Sequence, residues 1–349
     1  MRLNMNNKHT LRCAVVGLGR ISWGYHLPQI CAAKDFLPVA VVDPDQNRLN
    51  EAKEKFHVEG LYTDLETMLK EVKPDLTVIA SPTLFHKDQT VLALQHGSDV
   101  FCDKPVAMNL EDTRIMFETA QKLGRKLMVY QPHRVTAEMR TAQSILDSGK
   151  LGTVYQIERH VSNFVRRNDW QAFVENGGGM LFNYGAHYID QLLSLVHDTT
   201  LRAKCELRRI LSVGNADDVV NILLTTTKGI TFVIDINQAV TCPMPTWRIC
   251  GSLGTAICEG DVWRMKYCLP DALPEIRADQ NFATAGRRYP GEDIPWITEE
   301  VPEVPVETAE YYRHCSAFFL RGEPPFVKAE ETLELMRTIQ LCREDAGPY

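Results

Sequence analysis

The chain has 349 residues, 44% hydrophobic and 24% charged, a globular balance that excludes disordered and fibrous chains and, at about 100–200 residues per domain, predicts two domains. Lys plus Arg number 38 against 45 for Asp plus Glu, a net charge of −7, so the basic excess that a phosphate backbone requires is missing and no nucleic-acid partner is expected.

Residues 11–16 form a short apolar run ending in Gly17-Leu18-Gly19, and 20–31 read as a helix behind that turn. The next apolar run, 38–42, ends in Asp43, and 45–56 has the charge pattern of an exposed helix. The order repeats: helix 64–71, buried strand 76–80, helix 88–96 closed by Gly97, strand 100–102, helix 110–123 closed by Gly124, strand 127–130. Alternation of this kind predicts a doubly wound parallel sheet covered by helices over residues 1–131. From 132 to 349 the pattern changes. A helix at 135–146, a strand at 154–161 and an amphipathic helix at 180–196 precede a group of strand-like runs over 201–268. Hairpins are expected at Lys228-Gly229 and near 251–254. An irregular excursion over 270–307 and closing helices at 308–320 and 329–343 complete a second, α+β domain with a largely antiparallel sheet.

Gly17 and Gly19 match the first two places of a dinucleotide-binding turn, where a Cβ would block the turn or the approach of a phosphate. Ser22 stands at the third place and is small enough for close strand–helix packing. The helix start behind the turn offers free N–H groups to a pyrophosphate. Asp43 ends the second strand about 20 residues on, where a carboxylate accepts hydrogen bonds from a ribose and repels a 2′-phosphate, so NAD is expected in preference to NADP. Arg48 is the nearby cation and reads as an exposed helix residue.

These segments resemble the Gfo/Idh/MocA oxidoreductases. The likeness is carried by Val16-Gly17-Leu18-Gly19-Arg20, Val42-Asp43-Pro44-Asp45, Ala80-Ser81-Pro82-Thr83 with His86, and Asp103-Lys104-Pro105. It continues in Gly177-Gly178-Gly179-Met180-Leu181 followed by Asn183, Gly185, His187 and Asp190. The resemblance implies a Rossmann domain, a C-terminal domain with an open sheet that supports a homodimer or homotetramer, and NAD(P)-dependent chemistry on sugars, inositols or related polyols. It places Arg20, Ile21, Ser81, Pro82, Thr83, His86 and Asp103 with the glycines in the cofactor site. Two places depart from the family pattern: Asp103 replaces a Glu, and Asn183 stands where an Asp usually precedes the His by four residues.

Hydride transfer from a secondary alcohol needs a base, a cation or donor for the developing alkoxide, and the nicotinamide against the carbinol carbon. Lys104 ends an apolar strand before Pro105 and is expected to project at the carboxyl end of the sheet, stabilising the alkoxide and relaying its proton. His187, with an ordinary pKa near 6.5, is expected as general base. Asn183 lies on the same helix face and can hydrogen-bond a hydroxyl but carry no charge, and Asp190 lies on a neighbouring strip. Arg134, Arg167 and Trp170 are the expected substrate contacts. The leading reading is an NAD-dependent dehydrogenase of a ring hydroxyl. A redox-neutral enzyme that retains NAD to cleave or epimerise a glycoside, and a non-catalytic NAD-binding regulator, are the alternatives.

The ten cysteines include no C-x-x-C pair, so neither a disulfide framework nor a zinc site is expected, and no other metal site is read. No apolar run reaches the ~20 residues of a membrane helix and the N-terminus lacks a signal-peptide pattern, so the expected setting is the cytoplasm, away from membranes.

Overall fold

In the computed structural model, which describes residues 10–278, 280 and 291–347, the first apolar run is β1 (Leu11–Val16), buried at all but one position in the middle of a sheet. Its neighbours are β2 (Phe36–Val42) on one side and β4 (Leu76–Ile79) on the other. Beyond them lie β3 (Gly60–Tyr62), β5 (Asp99–Cys102) and β6 (Leu127–Val129), giving the order β3-β2-β1-β4-β5-β6. Every pair is parallel, because each connection is a helical crossover rather than a hairpin. The crossovers are α1 (Leu27–Ala32), α2 (Gln46–Phe56), α3 (Leu65–Val72), α4 (His86–Gln95) and α5 (Leu110–Leu123). Their limits follow the sequence: Asp45, Asp64 and Asn109 accept backbone N–H groups at the starts of α2, α3 and α5, and Gly124 closes α5 at φ 61°. The strand order reverses between β1 and β4, which opens a crevice at their carboxyl ends.

The second sheet has the order β14-β13-β12-β11-β7-β10-β9-β8. Its strands are β7 (Val154–Ser162), β8 (Thr200–Arg208), β9 (Val219–Thr226), β10 (Thr231–Asn237), β11 (Trp247–Gly251), β12 (Gly254–Glu259), β13 (Val262–Tyr267) and β14 (Ile297–Val301). Pairing is antiparallel except between β7 and β10. Both expected hairpins form; at the first, Thr226 N–H donates to the Ile230 carbonyl at 2.9 Å around Lys228-Gly229. Alternate residues such as Ile222, Leu224, Ile234 and Ile236 are buried. They share a core with Ile189 and Leu192 of α7 (Ala186–Val196) and Leu335 and Ile339 of α9 (Ala329–Ala346).

Six elements differ from the sequence reading. The three-residue β3 is too short to show as an apolar run, and β14 lies inside the excursion expected to be irregular; residues 279 and 281–290 of that excursion, and 1–9 and 348–349, lie outside the described residues. The helix expected from 135 starts at α6 (Ala137–Asp147), because Pro132–Val135 form a 3₁₀ turn and Thr136 caps the helix. The helices expected at 20–31 and 180–196 each begin with a π turn, at Ser22–His26 and Leu181–Gly185. The closing helix α8 (Glu310–Phe319) does not extend the second domain: its Tyr311, Tyr312, Cys315 and Phe319 lie in one core with Val15, Val41, Val78, Phe101 and Met128 of the first sheet. The Tyr311 hydroxyl donates to the Val129 carbonyl at 2.9 Å and accepts the Gln131 N–H at 2.7 Å.

Candidate active site

The crevice has a volume of about 640 Å³ and is lined from both halves of the chain. On the first side the glycine turn sits against the end of β4. Gly17 has φ +85°, and a Cβ there would lie 2.7 Å from the Ser81 backbone N and Cα, so conformation and space both demand glycine. A Cβ on Gly19 would meet nothing within 4 Å; the space it leaves belongs to the crevice. Ser22 is fully buried, and its hydroxyl donates to the Gly17 carbonyl at 2.5 Å. It therefore ties the turn to the helix start and does not line the cavity. Arg20 and Ile21 do line it. Asp43 accepts the Leu18 N–H at 2.7 Å and the Asp45 N–H at 3.0 Å, fixing the turn while its edge faces the crevice. Arg48 lies 3.8 Å from the same carboxylate. Ser81, Pro82, Thr83 and Asp103 line the cavity.

His86 does not. It is buried between the Ser81 and Pro105 carbonyls at 2.8 and 2.9 Å, with burial lowering its pKa. As a neutral ring it donates to one of the two and braces the loops after β4 and β5 against each other. The cradle of glycine backbone, helix start and Asp43 fits a dinucleotide: at Gly19, where a Cβ would have open space, the backbone is left accessible from the crevice to a group such as a phosphate.

On the other side, three glycines allow the start of α7 to come close. A Cβ on Gly178 would lie 2.3 Å from the Gln171 carbonyl and one on Gly179 2.2 Å from Asp217 Oδ1. The Asp217 carboxylate then accepts the Leu181 N–H at 2.8 Å and caps the π turn. From that turn Asn183 meets Lys104: the Lys104 ammonium donates to the Asn183 carbonyl at 2.9 Å and to its Oδ1 at 3.1 Å. Burial pushes the Lys104 pKa down to about 8, with Arg20 and Arg167 adding to the effect and Asp103 opposing it. Burial in turn raises the Asp103 carboxyl to about 6 against the pull of Lys104.

His187 lines the same cavity. It is held well below the ordinary histidine pKa, first by burial and then by Lys104 and His133. Its Nδ1 is sealed from solvent without a partner. Its ring stacks on that of His133, with centroids 3.8 Å apart and planes at 9°.

Of the expected substrate contacts, Arg167 and Trp170 line the crevice. Arg167 is paired with Asp169 through two bonds of 2.8 and 3.2 Å, and Trp170 is 38% exposed at the mouth. Arg134 is not brought there. It is buried behind the site, bonded at two points to Asp190 at 2.6 and 2.7 Å and to Glu331 at 2.8 Å. The 3₁₀ turn after Pro132 presents His133 to the crevice and turns its neighbour away. Asp190, on the helix strip beside that of Asn183 and His187, is the partner that neutralises Arg134. Sequence reading missed Tyr130 and His133, which line the cavity just after β6. The signal that finds them is position, the carboxyl end of a strand in an open parallel sheet.

Residues 11–131 match the model of the oxidoreductase family with the NAD-binding Rossmann fold, and residues 139–257 match that of the GFO/IDH/MocA C-terminal domain. The chain is 32% identical over 183 residues to D-glucoside 3-dehydrogenase of Escherichia coli (strain K12), a stretch that spans 52% of each protein. It is 26% identical over 308 residues to D-apiose dehydrogenase of Paraburkholderia graminis, covering 86% of this chain and 79% of that one. An NAD-binding protein from Listeria innocua shares the fold, with a TM-score of 0.83 at 24% identity over 97% of this chain and 95% of that chain.

Proposed function

The chain belongs to the Gfo/Idh/MocA oxidoreductase family, and from that premise we propose that it is an NAD-dependent dehydrogenase or reductase acting between a ring hydroxyl and the ketone of a sugar, inositol or sugar derivative. The observation that carries the reading is the meeting of Lys104 from one half with Asn183 and His187 from the other at the end of a dinucleotide-sized crevice. Gly17, Gly19, Arg20 and Ile21 would hold the pyrophosphate, and Asp43 the adenosine ribose. NAD is favoured over NADP because the Asp43 carboxylate would oppose a 2′-phosphate, with the half-exposed Arg48 beside it softening but not reversing its charge. Bound NAD supplies a hydride acceptor at the nicotinamide.

The residues of the chain handle the proton and the substrate. With its pKa at about 8, the neutral Lys104 amine takes the hydroxyl proton as the alkoxide develops in oxidation and the ammonium returns it in reduction, near neutral pH, where an ordinary lysine would stay protonated. His187, expected as the general base at its ordinary pKa, is too dry and too close to Lys104 for that role. It serves as a neutral acceptor for a substrate hydroxyl beside the reacting one and so orients the ring, while Lys104 carries the proton of the reacting hydroxyl. Asn183 positions the ammonium without neutralising it. Trp170 gives a sugar ring an aromatic face at the mouth. The Arg167 fork is charge-matched by Asp169, which suits hydroxyl groups.

Assembly as a homodimer or homotetramer through the open second sheet, which the family likeness implies, is part of the proposal. Among the described residues no helix is long and apolar enough to cross a membrane.

Absorbance at 340 nm, with NAD and NADP against a panel of polyols, sugars and glycosides, tests the reading. Stoichiometric NADH from at least one ring alcohol is expected, with NAD preferred. Tight NAD binding with no turnover across the panel would reject it.

A further inference from the structure

We propose that His133 is a positioning residue of this site, stacked on His187 so that it fixes the direction of the His187 ring and keeps water off its face; this rests on the dehydrogenase reading above. The rings lie 3.8 Å apart and 9° from parallel, a sandwich that isolated aromatic pairs avoid and that a frame must therefore impose. His133 sits in the Pro132–Val135 turn, and its carbonyl accepts the Gln191 side-chain N–H at 2.8 Å. Gln191 stands one turn after His187 on the same helix, so α7 holds His133 by its backbone while presenting His187 to its ring. With Nδ1 of His187 sealed and unpartnered, Nε2 is the nitrogen left to the crevice, and the stack sets where it points.

The groups facing this pair are cationic or neutral. Lys104 faces both rings from the loop after β5, and Arg159 faces His133 from β7. Tyr188 lies 5.9 Å from the His133 ring, and Asn183 and Tyr184 line the same wall from the π turn. Two stacked imidazoliums beside two cations would repel, so the pair stays neutral together; burial and those cations take His133 itself down to about 3. His187 is thereby kept an acceptor across the working pH range.

His133→Ala and His133→Phe, compared with the unchanged protein, test this by two readouts. Imidazole ¹⁵N resonances followed against pH, with His187 assigned by its loss in His187→Ala, report protonation without any substrate. NADH formation against pH reports kcat and KM. In His133→Ala, water reaches the ring face, the His187 midpoint moves up towards the ordinary value near 6.5, and kcat falls about ten- to a hundredfold with KM changing less. The acid limb of the rate profile moves up with the midpoint. His133→Phe refills the stack and returns most of both changes. If the Ala variant does not fold, His133→Gln, which has no ring, takes its place. An unmoved His187 midpoint in the ring-deleted variant, or a loss of kcat that Phe does not recover, overturns the proposal. If no protein of the series turns over any alcohol, the dehydrogenase reading fails, while the resonance arm still decides the stack.

Discussion

Asn183→Asp tests the electrostatics at the centre of the site. In the present protein the Lys104 ammonium lies 3.1 Å from the Asn183 Oδ1 and has a pKa of about 8 because burial outweighs its neighbours. A carboxylate at that oxygen attracts the ammonium by about 5 kcal/mol at an effective dielectric of about 20, and desolvating the new charge takes back several kcal/mol. The remainder raises Lys104 by about 1–3 pKa units. Competitive acylation against pH, with the Lys104 peptide quantified by mass spectrometry, reads the midpoint directly and needs no substrate. The reactive amine fraction at pH 8, half in the present protein, should fall to about a tenth or less. Stability carries the same signature. Between about pH 8 and the unfolded value near 10.4 the unfolded chain binds more protons than the native one. Stability from this group therefore rises with pH across that window, and the Asp variant flattens the rise. A midpoint that does not move would show that the ammonium is not held at position 183 and would remove the basis of the proton assignment.

The other expectations concern the cradle, the acceptor and the support behind it. Gly17→Ala forces a left-handed alanine against the Ser81 backbone; the conformation alone costs about 1–2 kcal/mol, so both melting temperature and NAD affinity fall. Gly19→Ala has room within the protein and should lose NAD affinity by calorimetry while its melting temperature stays put; equal thermal losses in the two would contradict the cradle. His187→Ala should cut hydride transfer by about 10² through lost orientation of the substrate and leave NAD binding near normal, and full activity would reject its role. Arg134→Ala leaves Asp190, 3% exposed, without its cation and should cost about 3–5 kcal/mol in denaturant unfolding at pH 7. The cost shrinks as pH falls and the carboxyl, already pushed up by burial, takes a proton; a loss under about 1 kcal/mol would show that water already reaches the pair.

The first sheet was readable because a parallel strand buried on both faces leaves a continuous apolar run, as at β1 and β4, and because Gly17, Asp43 and Gly124 mark turns that physics restricts to few residue types. Hairpins at Lys228-Gly229 and 251–254 were readable for the same reason. The rest depended on tertiary context. Three residues of β3 have no periodicity to detect, and the π turn before α7 leaves no mark in an amphipathic pattern. Arg134 and His133 are adjacent in sequence, and only the 3₁₀ turn decides that the histidine faces the crevice while the arginine goes to Asp190 and Glu331. The protonation of His187 was equally hidden, since it is set first by burial and then by a lysine and a histidine from two distant segments.

Tyr311 reaches from the far end of the chain to clamp the exit of β6, taking the Gln131 N–H and giving its own proton to Val129. The backbone that carries His133 leaves from that clamp. The start of α8 thus fixes, across 180 positions of sequence, the backbone stretch on which the crevice residues Tyr130 and His133 are displayed.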